Sequence, residues 1–380
     1  MQRDHYLFCP GPVMVSERVR KALFHPQVCH RVPTFEKVIQ NLQKNLLNAY
    51  KANEEYTVLL ITGSGTAANE TVISSYFVPG EEALLVNNGE FGCRLEEILD
   101  IHGVKTTVLN YEWGARAEAS DVEDQLTRNP RIKAILMVFH ETSTGVVNPV
   151  REVGEVAHRF GKTFIVDAIS ALAGEDLDVV RDHVDFCTCS ANKCLSSLPG
   201  VGIICARVSK IEETKNNKPR VAYLNLHKLH ETSTRYHQTT NTPSVTMFYA
   251  LNAAVEELLD EGLENRINRH KRCARIIREG VKQMGLKILV DETIGSSTVT
   301  SVLLPKEINL EAFIQRLDDK GYTVYPAKRH LKEQNMFQIA NMGQIDEDMC
   351  PGFLKAMAET LEELPPQRRM AGDPIADIIA

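Results

Sequence analysis

With 380 residues, 43% hydrophobic and 24% charged, the chain is that of a globular protein, neither disordered nor fibrous, and long enough for one large domain and one smaller. A formal charge of −7 repels phosphate backbones, which argues against nucleic acid as a general partner and leaves small metabolites. The polar start Met1–His5 and the lack of any apolar run near the ~20 residues of a membrane helix point to a cytoplasmic protein with no membrane partner.

In chain order, Leu7–Val13 carries Pro10 and Pro12, which fix φ and bar helix, so an extended segment across the mouth of a site is expected. Ser16 caps a helix through Phe24, and a loop containing Arg31, a candidate anion contact, precedes an amphipathic helix near 34–51. Thr57–Thr62 reads as a strand, Gly63-Ser64-Gly65-Thr66 as a tight turn, and the residues from Ala67 as a helix. Such a turn suits a phosphate. Free N–H groups and the positive end of the helix dipole attract an anion, Gly65 lets the backbone approach, and Ser64 and Thr66 add hydroxyls. Ala83–Asn87 is the next strand, followed by a helix with Phe91 near its start. Strands at 105–109 and 132–138 follow, the second running into Phe139-His140-Glu141-Thr142-Ser143-Thr144-Gly145. His140 and Glu141 are adjacent and point apart on an extended chain, so no metal site is expected there.

After a helix at 150–160, the strand Thr163–Asp167 ends in an acid followed by small residues. A carboxylate at the C-terminal end of a parallel strand can hold a protonated pyridine nitrogen. Val184–Cys189, Ser190-Ala191-Asn192-Lys193-Cys194 and Gly200–Cys205 read as strand, turn, strand, with Lys193 at a strand mouth. Its amine attacks a carbonyl only when deprotonated, a state that burial favours. The nine cysteines, with Cys187 and Cys189 expected on opposite faces of one strand, suggest neither a disulfide framework nor a zinc site. Strands alternating with helices of this length need crossover connections, hence a mostly parallel sheet covered on both faces. Residues 212–220 read as a solvated loop, and the loop 235–244 precedes a helix to Leu259. Beyond Gly262 a charged helix places Arg266, Arg269, Arg272, Arg275 and Arg278 three apart, which reads as a solvated face. Strands near 288, 298–304 and 337–341 with helices at 309–320 and 347–364 give a smaller α/β domain, and the tail from Pro365 is expected to be flexible.

These strings resemble the class V, fold type I, pyridoxal-phosphate aminotransferases. Val166–Ser170 followed by Ser190–Lys193 is similar to the family's Asp and Schiff-base Lys pair. The string at 139–145 resembles its His-Xaa-Glu-Ser/Thr-Ser/Thr-Thr-Gly signature. The resemblance implies an α/β fold: a large domain, 15–258, built on a mostly parallel sheet of the seven-stranded type, a small domain from 1–14 and 259–364, and a tail, 365–380. It implies pyridoxal 5′-phosphate as cofactor, held by Lys193 and Asp167, with Ser64, Gly65, Thr66, Ser190 and Asn192 around the phosphate end. Phe91 would stack on the ring and Thr142 would lie beside its phenolic oxygen. The partner subunit of a homodimer with shared active sites would contribute Thr240 or Asn241. Ser190–Cys194, Pro199–Gly202, Tyr325-Pro326 and the late Phe337–Gly343 string look most like the 2-aminoethylphosphonate:pyruvate branch, with the alanine:glyoxylate branch next. Transfer of an amino group from a small amine to a 2-oxo acid such as pyruvate is implied. One position departs. Where that branch reads Phe-Arg-Ile-Gly-Asn-Ile-Gly, with an arginine that clamps the substrate's anionic group, this chain has Gln338. A neutral amide cannot replace a bidentate guanidinium. Three readings follow: Arg31, Lys328 or Arg329 takes the anion, the donor lacks the acid group, or the reaction is another, such as elimination.

Overall fold

The computed structural model describes residues 5–364; the tail expected from Pro365 lies outside them. Seven strands, β1 (Tyr56–Thr62), β2 (Glu82–Asn87), β3 (Lys105–Asn110), β4 (Ile132–Val138), β5 (Thr163–Asp167), β6 (Phe186–Ser190) and β7 (Val201–Arg207), form one sheet in the order β1-β7-β6-β5-β4-β2-β3. β7 alone runs opposite to the other six strands. Successive residues on each strand enter different cores. Val58 and Leu60, Leu84 and Val86, and Ile135 and Met137 join one apolar cluster, while Leu59 and Ile61, Ala83 and Leu85, and Ala134 and Leu136 join the other. Burial on both faces is why these strands read as unbroken apolar runs rather than alternations. Leu84 and Ile135 have no exposed surface, and truncating either to alanine should cost ~2–5 kcal/mol.

Helices cover both faces. α1 (Glu17–Ala22) opens on Ser16, whose hydroxyl accepts from Val19 N at 3.1 Å. α2 (Pro33–Ala49) buries Phe35, Val38, Ile39, Leu42 and Leu46 at helical spacing, and packs on the first face. α3 (Gly65–Tyr76) and α4 (Glu90–Ile101) cover the second face, α5 (Ala119–Arg128) and α6 (Val150–Arg159) the first. α7 (Val208–Glu212) and α8 (Leu226–Tyr236) return to the second face, and α9 (Val245–Glu261) to the first.

A second core follows. After α10 (Leu263–Gln283) come β8 (Lys287–Ile288), β9 (Val299–Leu303), α11 (Leu310–Asp319), β10 (Tyr325–Pro326), α12 (Arg329–Glu333), β11 (Met336–Ala340) and α13 (Met349–Glu363). Their strands make an antiparallel sheet in the order β8-β9-β11-β10. Phe8 from the start of the chain joins this core and stacks on Phe353 at 4.2 Å between ring centroids, while Phe8 O accepts from Ala340 N at 2.9 Å. The N-terminal segment is thereby anchored on the second core.

Three expectations are corrected. The arginines of α10 do not share a solvated face, because a step of three residues turns a helix through about 300° and the series sweeps around the axis. Arg272 and Arg275 are exposed, but Arg266 is 1% exposed and Arg278 donates to Thr300 Oγ1 at 3.3 Å. Cys187 and Cys189 share a face, as residues two apart on a strand must, and both join the cluster that contains Cys205 and Tyr50. The stretch 212–220 is less solvated than its composition suggests: Thr214 is buried, and Arg220 donates to the carbonyls of Ser74 and Phe77 at 2.7 and 2.8 Å. Among the described residues no helix is long and apolar enough to cross a membrane.

Candidate active site

The C-terminal ends of β5 and β6 bring the acid and the lysine together. Asp167, the last residue of β5, is 5% exposed; its Oδ2 accepts from Asn69 Nδ2 at 2.7 Å and its Oδ1 from Ile169 N at 2.9 Å. Asn69 is itself fixed, its Oδ1 accepting from Thr188 Oγ1 at 2.5 Å. Burial pushes the Asp167 pKa up, opposed by those two donors and by the charges of Arg94 and Lys193. A buried carboxylate of this kind gains from a cationic partner.

Lys193 follows β6. Its Nζ donates to Pro10 O, so the N-terminal segment does cross over the lysine. Gly11 is required there: at φ +122° a Cβ would stand 2.7 Å from Lys193 Nζ. Burial lowers the Lys193 pKa, and the Arg94 charge lowers it further, against Cys194, Cys9 and Asp167, which raise it. The turn is also held from behind, since the buried Arg266 Nη1 donates to Cys194 O at 3.2 Å and Ser196 Oγ at 3.1 Å. Just before the lysine, Ser190 Oγ donates to Asn192 Oδ1 at 2.6 Å.

Ser64 is the N-cap of α3, its hydroxyl accepting from Ala67 N at 3.4 Å. Gly65 is pressed on the loop after β5: a Cβ would lie 2.5 Å from Ile169 Cδ1. Thr66 Oγ1 accepts from Arg94 Nη1 at 3.4 Å. One helix thus joins the anion-type turn at its first residues to the Asp167 partner Asn69.

Phe91 lies in the first turn of α4, over a buried carboxylate. Glu141 Oε2 accepts from Phe91 N and Gly92 N, each at 3.2 Å, and its Oε1 accepts from Ser143 N at 3.2 Å and from the Ser143 hydroxyl. Burial pushes its pKa up to about 7, against the pull of those donors. The Thr142 hydroxyl donates to His140 O at 3.3 Å, and its carbonyl accepts from Gln338 Nε2 at 2.7 Å. Gln338, 2% exposed, also donates to Ser301 Oγ at 3.1 Å. His140 Nδ1 faces Ser170 O at 3.2 Å, its Nε2 is buried without a partner, and burial lowers its pKa to about 4.

The remaining candidates stand apart. Arg329 Nε pairs with Glu90 Oε2 at 2.5 Å on the exposed edge of α4, and Lys328 is exposed beside it. Arg31 Nη1 donates to Gln238 Oε1 at 2.6 Å and Thr239 O at 3.0 Å, and its Nη2 to Thr240 O at 3.3 Å. Thr240 and Asn241 line a hollow with Ile61, Thr62 and Tyr223. Among the described residues no hydrogen bond or ion pair joins Arg31, Thr240 or Asn241 to Lys193 or Asp167. Reading the sequence missed Asn69, Arg94 and Glu141. Helical spacing could have found the first two, because Asn69 is three residues after Thr66 and Arg94 three after Phe91. Glu141 gives no such signal, since it binds the backbone of a distant helix.

Comparison with known proteins decides the family: residues 16–325 match the family described as aminotransferase class-V. The chain belongs to the class V aminotransferases. It is 34% identical over 360 residues to an uncharacterised aminotransferase of Methanocaldococcus jannaschii, covering 94% of this chain and 93% of that protein. It is also similar to the 2-aminoethylphosphonate–pyruvate transaminase of Lysinibacillus sphaericus, 31% identical over 363 residues and covering 94% of this chain and 97% of that protein. Among solved structures, ureidoglycine–glyoxylate aminotransferase from Bacillus subtilis superposes with a TM-score of 0.89 at 27% identity, covering 96% of this chain and 94% of that one. The fold type I architecture is therefore that of this class V enzyme, whose substrates are an amine and an oxo acid.

Proposed function

We propose that this class V aminotransferase uses pyridoxal 5′-phosphate bound at Lys193 and moves an amino group from a small amine, 2-aminoethylphosphonate or a near relative, to a 2-oxo acid such as pyruvate. The observation that carries the reading is a half-buried lysine of lowered pKa and a buried, hydrogen-bonded Asp167 at adjacent strand ends beside the α3 N-terminus. The residues fit the cofactor. The buried Asp167 carboxylate is bonded to no cation among the described residues, and the buried His140 Nε2 lacks a partner. Ser64, Gly65 and Thr66 would hold the phosphate with Ser190 and Asn192, Phe91 would stack on the ring, and Thr142 would lie by its phenolic oxygen. When bound, the cofactor supplies an aldehyde for the lysine and an electron sink for the substrate.

The chain's own groups then have distinct tasks. Asp167 keeps a positive charge beside it, because Asn69 and Ile169 N fix its two oxygens. Lys193 Nζ, favoured in its neutral form, would take the proton from the amine-bearing carbon of the donor and hand it on within the same half-reaction, and in the second half would deliver a proton to the former carbonyl carbon of the oxo acid. Pro10 and Gly11 close over that nitrogen and exclude water. Thr240 or Asn241 would complete a partner's site in a homodimer, with Arg31 shaping that loop through its bonds to residues 238–240. We further take 15–258 as the large domain and 1–14 with 259–364 as the small one.

Gln338 favours a second reading of the donor. Its amide is bonded to Thr142 O and Ser301 Oγ, which supports a donor without the usual anionic group, an alanine:glyoxylate type of exchange, or elimination. Purified protein assayed with 2-aminoethylphosphonate and pyruvate should form alanine. Turnover of other amines with pyruvate, but not of the phosphonate, would select the second reading. Absence of a visible cofactor band after reconstitution would refute both.

A further inference from the structure

Arg94 is a half-buried guanidinium to which none of the ion pairs among the described residues assigns a carboxylate. The other cations near the site are engaged or outside it: Arg329 is paired with Glu90, Arg266 with Glu261, and Arg31 with the 238–240 loop. Arg94 stands one helical turn beyond Phe91 on α4, its Cζ 4.9 Å from the Phe91 ring centroid, and its Nη1 reaches the Thr66 hydroxyl at 3.4 Å. Its charge acts on both Asp167 and Lys193. Glu141 fixes the start of α4 by taking up Phe91 N and Gly92 N, which sets the helix that aims Arg94 at the first turn of α3. A guanidinium held this way beside a helix N-terminus, with no acid of its own, is suited to a dianion, and its fork matches tetrahedral oxygens.

We propose that Arg94 pairs with the phosphate group of the cofactor, across the Thr66 hydroxyl. The inference rests on the cofactor reading above and adds to it a cation on the ring-stacking helix. The charge offsets the phosphate's.

The test titrates cofactor-stripped full-length protein with pyridoxal 5′-phosphate and, separately, with pyridoxal, which lacks the phosphate, following visible absorption. In Arg94→Gln the affinity for pyridoxal 5′-phosphate should fall about tenfold or more, while that for pyridoxal stays within about twofold of wild type. Arg94→Lys keeps the charge without the fork and should fall between; it alone suffices if Arg94→Gln does not fold. Equal affinities in variant and wild type, or equal losses for the two ligands, would overturn the proposal. Unchanged cofactor affinity with a raised KM for an anionic donor would overturn it too, and would assign Arg94 to the substrate. Wild-type protein that binds neither ligand would refute the cofactor reading itself, whereas binding of both that is indifferent to Arg94 would refute only this inference.

Discussion

The two sides of the site are built differently. On the Lys193 side every group is fixed by something buried: Asp167 by Asn69 and Ile169 N, Asn69 by Thr188, and the lysine turn by Arg266. On the Gln338 side the buried amide is spent on Thr142 and Ser301, and the cation Arg329 is exposed and tied to Glu90. On the proposed reading, the groups for the shared chemistry are locked into the sheet, whereas the donor's contacts rest on a few side chains that one substitution can change.

The largest effect should come from the locked side. Lys193→Ala should abolish turnover while leaving the fold intact, as read by circular dichroism and by amine transfer assayed on the same sample. Asp167→Asn keeps the hydrogen-bonding shape but removes the charge, and kcat should fall ~100-fold or more. A fall of less than tenfold would show that the carboxylate is not the electrostatic partner. On the open side, Gln338→Arg should raise kcat/KM for 2-aminoethylphosphonate roughly 10- to 150-fold if no other cation takes the anion. A decrease would mean that the clamp has moved, and alanine substitution at Arg31, Lys328 and Arg329 would then locate it.

The smallest effect is a slope in stability with pH. Glu141 and Glu175 are both pushed by burial to about 7. Each binds its proton more tightly folded than unfolded, so folding takes up protons between the ordinary carboxylate range and about 7, and stability falls as pH rises through that window. Glu141→Gln should flatten part of this slope in thermal melts, leaving the share of Glu175. An unchanged slope would show that Glu141 titrates normally.

Much of the locked side is legible in the sequence because its determinants are local. A strand ending in Asp167, a turn at Ser64 to Thr66 and a lysine between two strands can each be read within ten residues. Arg266 could not be read this way, since it stands in a run of regularly spaced arginines and its hydrogen bonds are to the distant Cys194 and Ser196. Glu141 stands in the 139–145 string, but its bonds to Phe91 N and Gly92 N join it to a helix far away in the chain. Gln338 was visible as a departure, but its two hydrogen bonds, which decide what it does, join β11 to residues far away in the chain.

Lys193 is proposed to carry the cofactor. Borohydride reduction of the protein reconstituted with pyridoxal 5′-phosphate, followed by digestion and peptide mapping, tests it directly. The label is predicted on Lys193 alone; a label on another lysine, or none at all, would contradict it.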